Sequence, residues 1–223
     1  MNTSVNHLTI STNYCKNSKS SNPNNNILNA IALRAFVNSP IIWKTIKYFA
    51  VRTNEVIVCE NNKKTNIFVK SKISDLERFI TNLVWYSKVR VAILIFFLVY
   101  LNRLKTRLQN CIGYPNTPYR LFLANLILTA KYLNDKSPWN KKWAKYAFLR
   151  AMDANGDNLS YSFHFNIAGI NKMERQLLNL LFWDLKIKNS NLYYELEIFL
   201  KLIRFGISEK VITKGRLAKN DHT

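Results

Sequence analysis

Lys131 is the residue whose setting most demands a chemical explanation. From Leu121 to Leu133 the strongly polar residues are Asn125 and Lys131, with Thr129 between them. A helix apolar on nearly every side sits in the middle of a domain, wrapped by others. The ammonium at its end must leave the core or meet a partner, because an unpaired buried charge is costly. The other candidate groups are isolated. His7, His164 and His222 stand alone, and Asp153 and Asp157 form a carboxylate pair on a predicted loop with no neighbour to perturb them. No glycine-rich phosphate loop, GxSxG elbow or HExxH run occurs. Cys15, Cys59 and Cys111 lie far apart, and no Cys or His spacing suits zinc. The stretch DANGDNLSYS, Asp153 to Ser162, departs from a calcium loop, with glycine at the fourth position and no closing glutamate. These residues read as a binding module without metal or cofactor, rather than as an enzyme.

The elements that must position Lys131 are helices. Thr117 can cap, and Pro118 can open, the apolar helix, which should end around Asn134 to Ser137. Upstream, Ser74 and Glu77 form a capping box. Leu76, Phe79, Ile80, Leu83 and Val84 then recur at helical spacing. After a break near Ser87 a second helix is expected from about Lys88 to Leu108. Its run Val91 to Leu101 is too short for a bilayer, which needs roughly 20 residues, and reads as buried. Downstream, Pro138 opens a fourth helix through WNKKWAKYAFLRAM, and Asp153 to Ser162 form a loop. Asn166 caps a fifth helix, IAGINKMERQLLNLLFW, ending near Asp184. Residues 73–188 are thus five consecutive helices, and the fold class is all-α.

The flanks read differently. Residues 1–29 are rich in Asn, Ser and Thr and are expected to be disordered. Residues 30–72 hold an N-terminal helix, capped by Ser39 and opened by Pro40, and the basic connector NNKKTNIFVKS. Residues 189–206 form an amphipathic C-terminal helix, and 207–223 a basic tail.

Composition bounds the partners. The chain has 223 residues, enough for one domain with tails, and 48% are hydrophobic, enough for a real core. Five Gly and five Pro are few, which favours helices over a sandwich or barrel. The formal charge of +20 suggests nucleic acid, an anionic membrane, or a phosphorylated or acidic protein, unless it is only solvated helix faces. The odd, scattered cysteines and the missing signal peptide fit a reducing compartment.

Five helices around an apolar third, with a lysine closing the third and a glutamate in the fifth, resemble the cyclin box. LTAKYLND carries Lys131, and INKMERQLLNLLFWDLKI carries Glu174. The chain is most similar to the fungal Pcl cyclins, which activate the multifunctional kinase of phosphate-response and cell-polarity pathways. The similarity lies in TPYRLFLANLILTAKYLNDKSPWNKKWAKY, Thr117 to Tyr146; in INKMERQLLNLLFWDLKI, Ile170 to Ile187; and in LVYLNRLK, Leu98 to Lys105. NSPIIWKTIKYFAVRTNEVIVC also resembles the element such cyclins place before the box. The resemblance runs from about residue 33 to residue 204.

It implies a regulatory subunit that binds and activates a cyclin-dependent kinase of the Pcl-dependent type and helps direct its substrate choice, in nucleus and cytoplasm. It implies that Lys131 and Glu174 sit at the surface meeting the kinase's mobile helix. There the lysine offers donors to backbone carbonyls and the glutamate holds it. Trp183 and Leu185 match positions that pack against that helix, Leu128 is counted with them, and Asp184 reads as a local cap. A second five-helix repeat has no room in the residues after the last helix, so a single-box cyclin is expected.

The sequence departs from cell-cycle cyclins in its first helix, where LERFITNLVW replaces the MRxxLxxW-like run that docks substrates. The buried Arg–Asp pair between the first two helices is missing, because the second has no acid. KVRVAILIFF after Ser87 is more apolar and basic than the Pcl pattern.

Two other readings compete. A cyclin-fold nucleic-acid binder related to general transcription factors would use the charge and the run Lys141, Lys142 and Lys145. Basic residues spread over many helices, and a missing recognition-helix pattern, argue against it. A membrane-surface protein rests on charge alone. The expected partners are therefore the kinase and its protein substrates, with no membrane and with nucleic acid disfavoured. Lys141 and Lys145, four apart, share one helix face and are expected to contact acidic substrates. Ser39, Thr117 and Ser137 precede prolines and fit proline-directed kinases, but are read as helix caps.

Overall fold

The computed structural model describes residues 23–59, 69–152 and 158–220. Helix α5, Thr117–Leu133, forms the axis, and every residue from Leu121 to Ala130 in it is buried. Its two interior polar side chains are satisfied. Asn125 Nδ2 donates to the Phe97 carbonyl at 3.0 Å, and Thr129 Oγ1 donates to the Asn125 carbonyl at 2.7 Å. Buried polar groups persist when paired in this way.

The neighbours each bury one stripe against this axis. Helix α3, Val69–Ser87, supplies Leu76, Phe79, Ile80 and Leu83. Helix α4, Val91–Leu108, supplies among others Leu94, Phe97, Leu98 and Leu104. Helix α6, Asn140–Tyr146, plugs in Trp143, and α7, Ile167–Leu180, packs through Ile170, Met173 and Leu177. Lys88 takes a left-handed φ of 52° between α3 and α4, which sets the sharp break expected near Ser87. These five helices correspond to the five read from residues 73–188, and the fold class is all-α.

Helices α1, Pro23–Val37, and α2, Trp43–Asn54, flank these five with α8, Asn189–Asn220. The disorder expected over residues 1–29 meets a helix from Pro23; residues 1–22 lie outside the described residues. The reason is burial: Ala32 and Phe36 are in the core, and Phe36 stacks on Phe199 of α8 at 4.8 Å. Helix α8 also runs past Arg204, through most of the expected basic tail. Most of the connector, residues 60–68, lies outside the described residues.

Several local expectations need correction. The helix opened at Pro138 stops at Tyr146, because Ala147 leaves the helical region (φ −87°, ψ 65°). Strand β3, Phe148–Met152, then pairs antiparallel with β4, Asn158–His164, with Phe148 opposite His164 and Leu149 opposite Phe163. The second half of the expected loop is therefore strand; residues 153–157 lie outside the described residues. A minimal parallel pair joins β1, Val58–Cys59, to β2, Ile112–Gly113. Gly113 fits closely there: a Cβ would come within 3.1 Å of the Thr117 and Ile57 side chains, which would have to shift by a few tenths of an ångström.

The Ser/Thr-Pro caps do not form. Ser39 Oγ donates back to the Phe36 carbonyl at 2.7 Å and closes α1, while α2 starts later, with Ile42 as its N-cap. Thr117 is already helical, and Asn116 holds the N-cap position without a side-chain bond. Trp139, not Ser137, is the N-cap of α6. Ser74 lies inside α3, which begins at Val69. Asn166 does cap α7, its Oδ1 accepting from Gly169 N at 2.7 Å.

Candidate functional site

The apolar axis delivers Lys131 to the surface in its last turn. Helix α7, held beside α5 by Ile170, Met173 and Leu177, presents Glu174 to it. Lys131 Nζ donates to Glu174 Oε1 at 2.7 Å and to Oε2 at 2.8 Å. Asn140, the first residue of α6, donates its Nδ2 to Glu174 Oε2 at 2.9 Å and to Asn171 Oδ1 at 2.6 Å. Three helices thus fix one carboxylate. The glutamate side chain is 15% exposed and the lysine 37%. A pair this open adds little to stability, but it holds the ammonium in place with a third donor left for a partner. A cavity of about 400 Å³ opens beside it, lined by Lys131, Asn134, Asp135, Ser137, Pro138, Trp139 and Asn140.

A second feature follows α7. The helix ends at Leu180, short of Asp184, because Phe182 (φ 52°) and Trp183 (φ 58°) both turn left-handed. Such backbone is unfavourable for bulky residues and persists only when its surroundings over-determine it. Helix α4 supplies that determination. Arg107 donates to the Leu180 carbonyl and stacks on the Phe182 ring at 4.2 Å. Arg103 donates to the carbonyls of Asp184 and Lys186, at 2.5 and 2.7 Å, and Tyr100 Oη donates to that of Leu185 at 2.7 Å. Positions 100, 103 and 107 lie on one stripe of a helix. Burial pushes the Tyr100 phenol above its ordinary pKa, Tyr132 adds to the shift and Arg103 opposes it, so it remains a donor.

The clamp displays side chains. Trp183 is 64% exposed, and its indole Nε1 donates to Asn179 Oδ1 at 3.2 Å. Phe182 is exposed beside it. Leu185 is half-buried against the core, and Leu128 is buried inside α5. Asp184 is exposed, its Oδ2 3.7 Å from Arg103 Nη1. Lys141 and Lys145 are exposed on α6, across the Asn134–Trp139 turn from Lys131. Among the sequence-predicted residues the structure brings Lys131 and Glu174 into contact and keeps Trp183 and Leu185 on one short turn. Sequence reasoning missed Asn140, Tyr100, Arg103 and Arg107. The signal for the last three was their spacing in and beside LVYLNRLK.

Comparison with known proteins places this geometry. The family model "Cyclin, N-terminal domain" matches residues 45–186, from α2 through the Trp183 turn. The chain is 37% identical over 191 residues to PHO85 cyclin-1 of Saccharomyces cerevisiae, covering 83% of this chain and 63% of that protein. It is 37% identical over 177 residues to PHO85 cyclin-9 and 34% over 176 to PHO85 cyclin-2 of the same yeast. Each of these covers 78% of this chain and 52% of the relative. The chain therefore spans less than two thirds of the length of these relatives. No solved structure gives a significant match.

Proposed function

The chain belongs to the cyclin family, and from that premise we propose that it is a regulatory subunit that binds and activates a cyclin-dependent kinase. The relatives are named as PHO85 cyclins, and this reading gives the chain a kinase partner of that type. It has no enzymatic activity alone, and it acts in nucleus and cytoplasm.

The observation that carries the reading is the Lys131–Glu174 pair, closed at 2.7 Å between α5 and α7 with Asn140 behind it. An ammonium fixed by a carboxylate can donate to carbonyls at the end of an approaching helix, which lack partners of their own. The Trp183 turn supplies apolar contact beside it. A large, rigid indole held out by a clamped backbone is the kind of group that anchors an interface. Leu185 backs the turn, and Leu128 supports Lys131 from within α5. The cyclin then activates by mass action, since a partner that binds the kinase's active arrangement better than its inactive one shifts the equilibrium toward activity. Lys141 and Lys145 contribute to substrate choice by contacting acidic proteins.

The test is phosphate transfer to a generic protein substrate by the kinase, with and without this chain. The chain should raise the rate, and should give none without the kinase. Equal rates with and without it would end the proposal.

A further inference from the structure

On the far side of the Asn134–Trp139 turn lies a second cavity, of about 440 Å³, lined by Asp135, Lys136, Ser137, Pro138, Trp139, Lys141, Lys142 and Lys145. We propose that this notch binds the phosphate group of a phosphorylated protein segment.

Four lysines line one concavity, and among the described residues the fold gains no ion pair from any of the four. Lys141 and Lys145 are like charges four apart, an arrangement that destabilises a helix. A dianionic ligand reverses that penalty.

Ser137 is the second, independent observation. Its Oγ is buried and has no protein partner among the described residues. The turn's backbone is already held by Asn134, whose carbonyl accepts from Ser137 N at 2.9 Å and whose Oδ1 accepts from Lys136 N at 3.0 Å. The hydroxyl is thus left over in a turn otherwise satisfied, and a buried donor without an acceptor is costly. A phosphate oxygen becomes the acceptor it lacks when the turn opens on binding, since the Oγ is closed to solvent in the free chain.

The shape favours one phosphate on a peptide over a continuous polyanion. The lysines surround a single hollow instead of lining a track, Asp135 at its rim repels a neighbouring phosphate, and Trp139, 82% exposed, offers an apolar wall to a flanking side chain. Phosphoserine carries about −1.5 to −2 charges and three strong acceptor oxygens, which suits several ammonium groups and one hydroxyl. Asp135, Ser137, Pro138 and Trp139 line this notch and the Lys131 cavity alike. A segment phosphorylated once and seated here lies beside the proposed kinase-contact surface. Its place in a reaction sequence is therefore a second phosphorylation of a protein that already carries one phosphate. That purpose rests on the proposed kinase role; the binding does not.

Calorimetric titration of the chain alone separates the two. The probe is a short glycine–alanine peptide carrying one phosphoserine, against the same peptide with serine and against one with two adjacent glutamates. The phosphopeptide should bind at least about tenfold tighter than either. Lys141→Ala with Lys145→Ala should remove that preference, and Ser137→Ala should weaken it by about tenfold, as loss of a hydrogen bond to a charged group does. Lys172→Ala on α7 should leave it unchanged. Equal binding of the phosphorylated and glutamate peptides would overturn the proposal. So would an undiminished preference in the double-lysine variant, or a single-stranded oligonucleotide that outcompetes the phosphopeptide through the same lysines.

Discussion

Tyr100 of α4 donates its hydroxyl to the carbonyl of Leu185 at 2.7 Å, joining residues 85 apart in the chain. With Arg103 and Arg107 it fastens the last carbonyl of α7 and those of the segment that follows, Asp184 to Lys186. A helix terminus normally meets its orphan carbonyls with a glycine-based turn or with water. Here the backbone N–H groups of Leu181, Phe182 and Trp183 meet three of them and Arg107 of α4 meets the Leu180 carbonyl, and two bulky residues take the left-handed positions a glycine would hold. Phe182 and Trp183 thereby face outward instead of being replaced by a compact turn.

Tyr100→Phe should therefore cost about 0.5–1.5 kcal/mol of stability, the net worth of one hydrogen bond to a buried-edge carbonyl. Kinase affinity should fall with it, because the Trp183 turn loosens. Denaturant titration and a binding assay on the same variant check this. Wild-type values in both would show that the clamp does not need the hydroxyl.

Glu195 of α8 supplies a pH dependence. It is buried, with Arg52 Nη2 3.7 Å from its Oε2. Burial raises its pKa above the ordinary carboxylate value, while Arg52 and a hydrogen bond from Asn102 pull the other way. A carboxyl that holds its proton more tightly folded than unfolded makes stability fall as pH rises from the unfolded value through the folded one. Glu195→Gln should flatten the stability profile over that window, and its stability relative to wild type should rise from mildly acid to neutral pH. Urea midpoints across the range read this out; parallel profiles would show that Glu195 does not titrate with folding.

Reversing Lys141 and Lys145 to Glu should leave kinase affinity nearly intact, since both lie outside the Lys131–Glu174 contact. It should raise the apparent KM for acidic substrates. The effect should shrink at high salt, because exposed charges are screened beyond about 8–10 Å. Steady-state kinetics on acidic and neutral peptides decide it, and unchanged constants on both would leave these lysines as solubilising charge.

The parts of this fold legible in the sequence are those carried by local pattern. The all-apolar α5, the charge at its end, the Asn166 cap and the buried Val91 to Leu101 run follow from periodicity and capping chemistry. The clamp did not, because its donors on α4 and its acceptors after α7 are more than 70 residues apart and no local rule links them. Ser39 and Ser137 were misread as caps because proline marks a helix start only loosely, and both helices begin several residues later. The hairpin was legible in principle. Asn155-Gly156 is a strong hairpin dipeptide, but the helix read as opened by Pro138 was carried through WNKKWAKYAFLRAM, past Tyr146. Of the site, Lys131 and Glu174 came from motif resemblance, whereas Asn140 behind Glu174 required the packing of α6 against α7.

The central claim is that the chain meets its kinase through Lys131. Removing one member of a desolvated, hydrogen-bonded charge site costs about 2–5 kcal/mol, whereas a rim charge mostly alters the on-rate. The most direct measurement is the equilibrium affinity of the kinase for Lys131→Ala beside Lys145→Ala. The account predicts a loss of roughly 30-fold or more for Lys131→Ala and little change for Lys145→Ala. Comparable affinities for the two variants would contradict it and move the interface elsewhere.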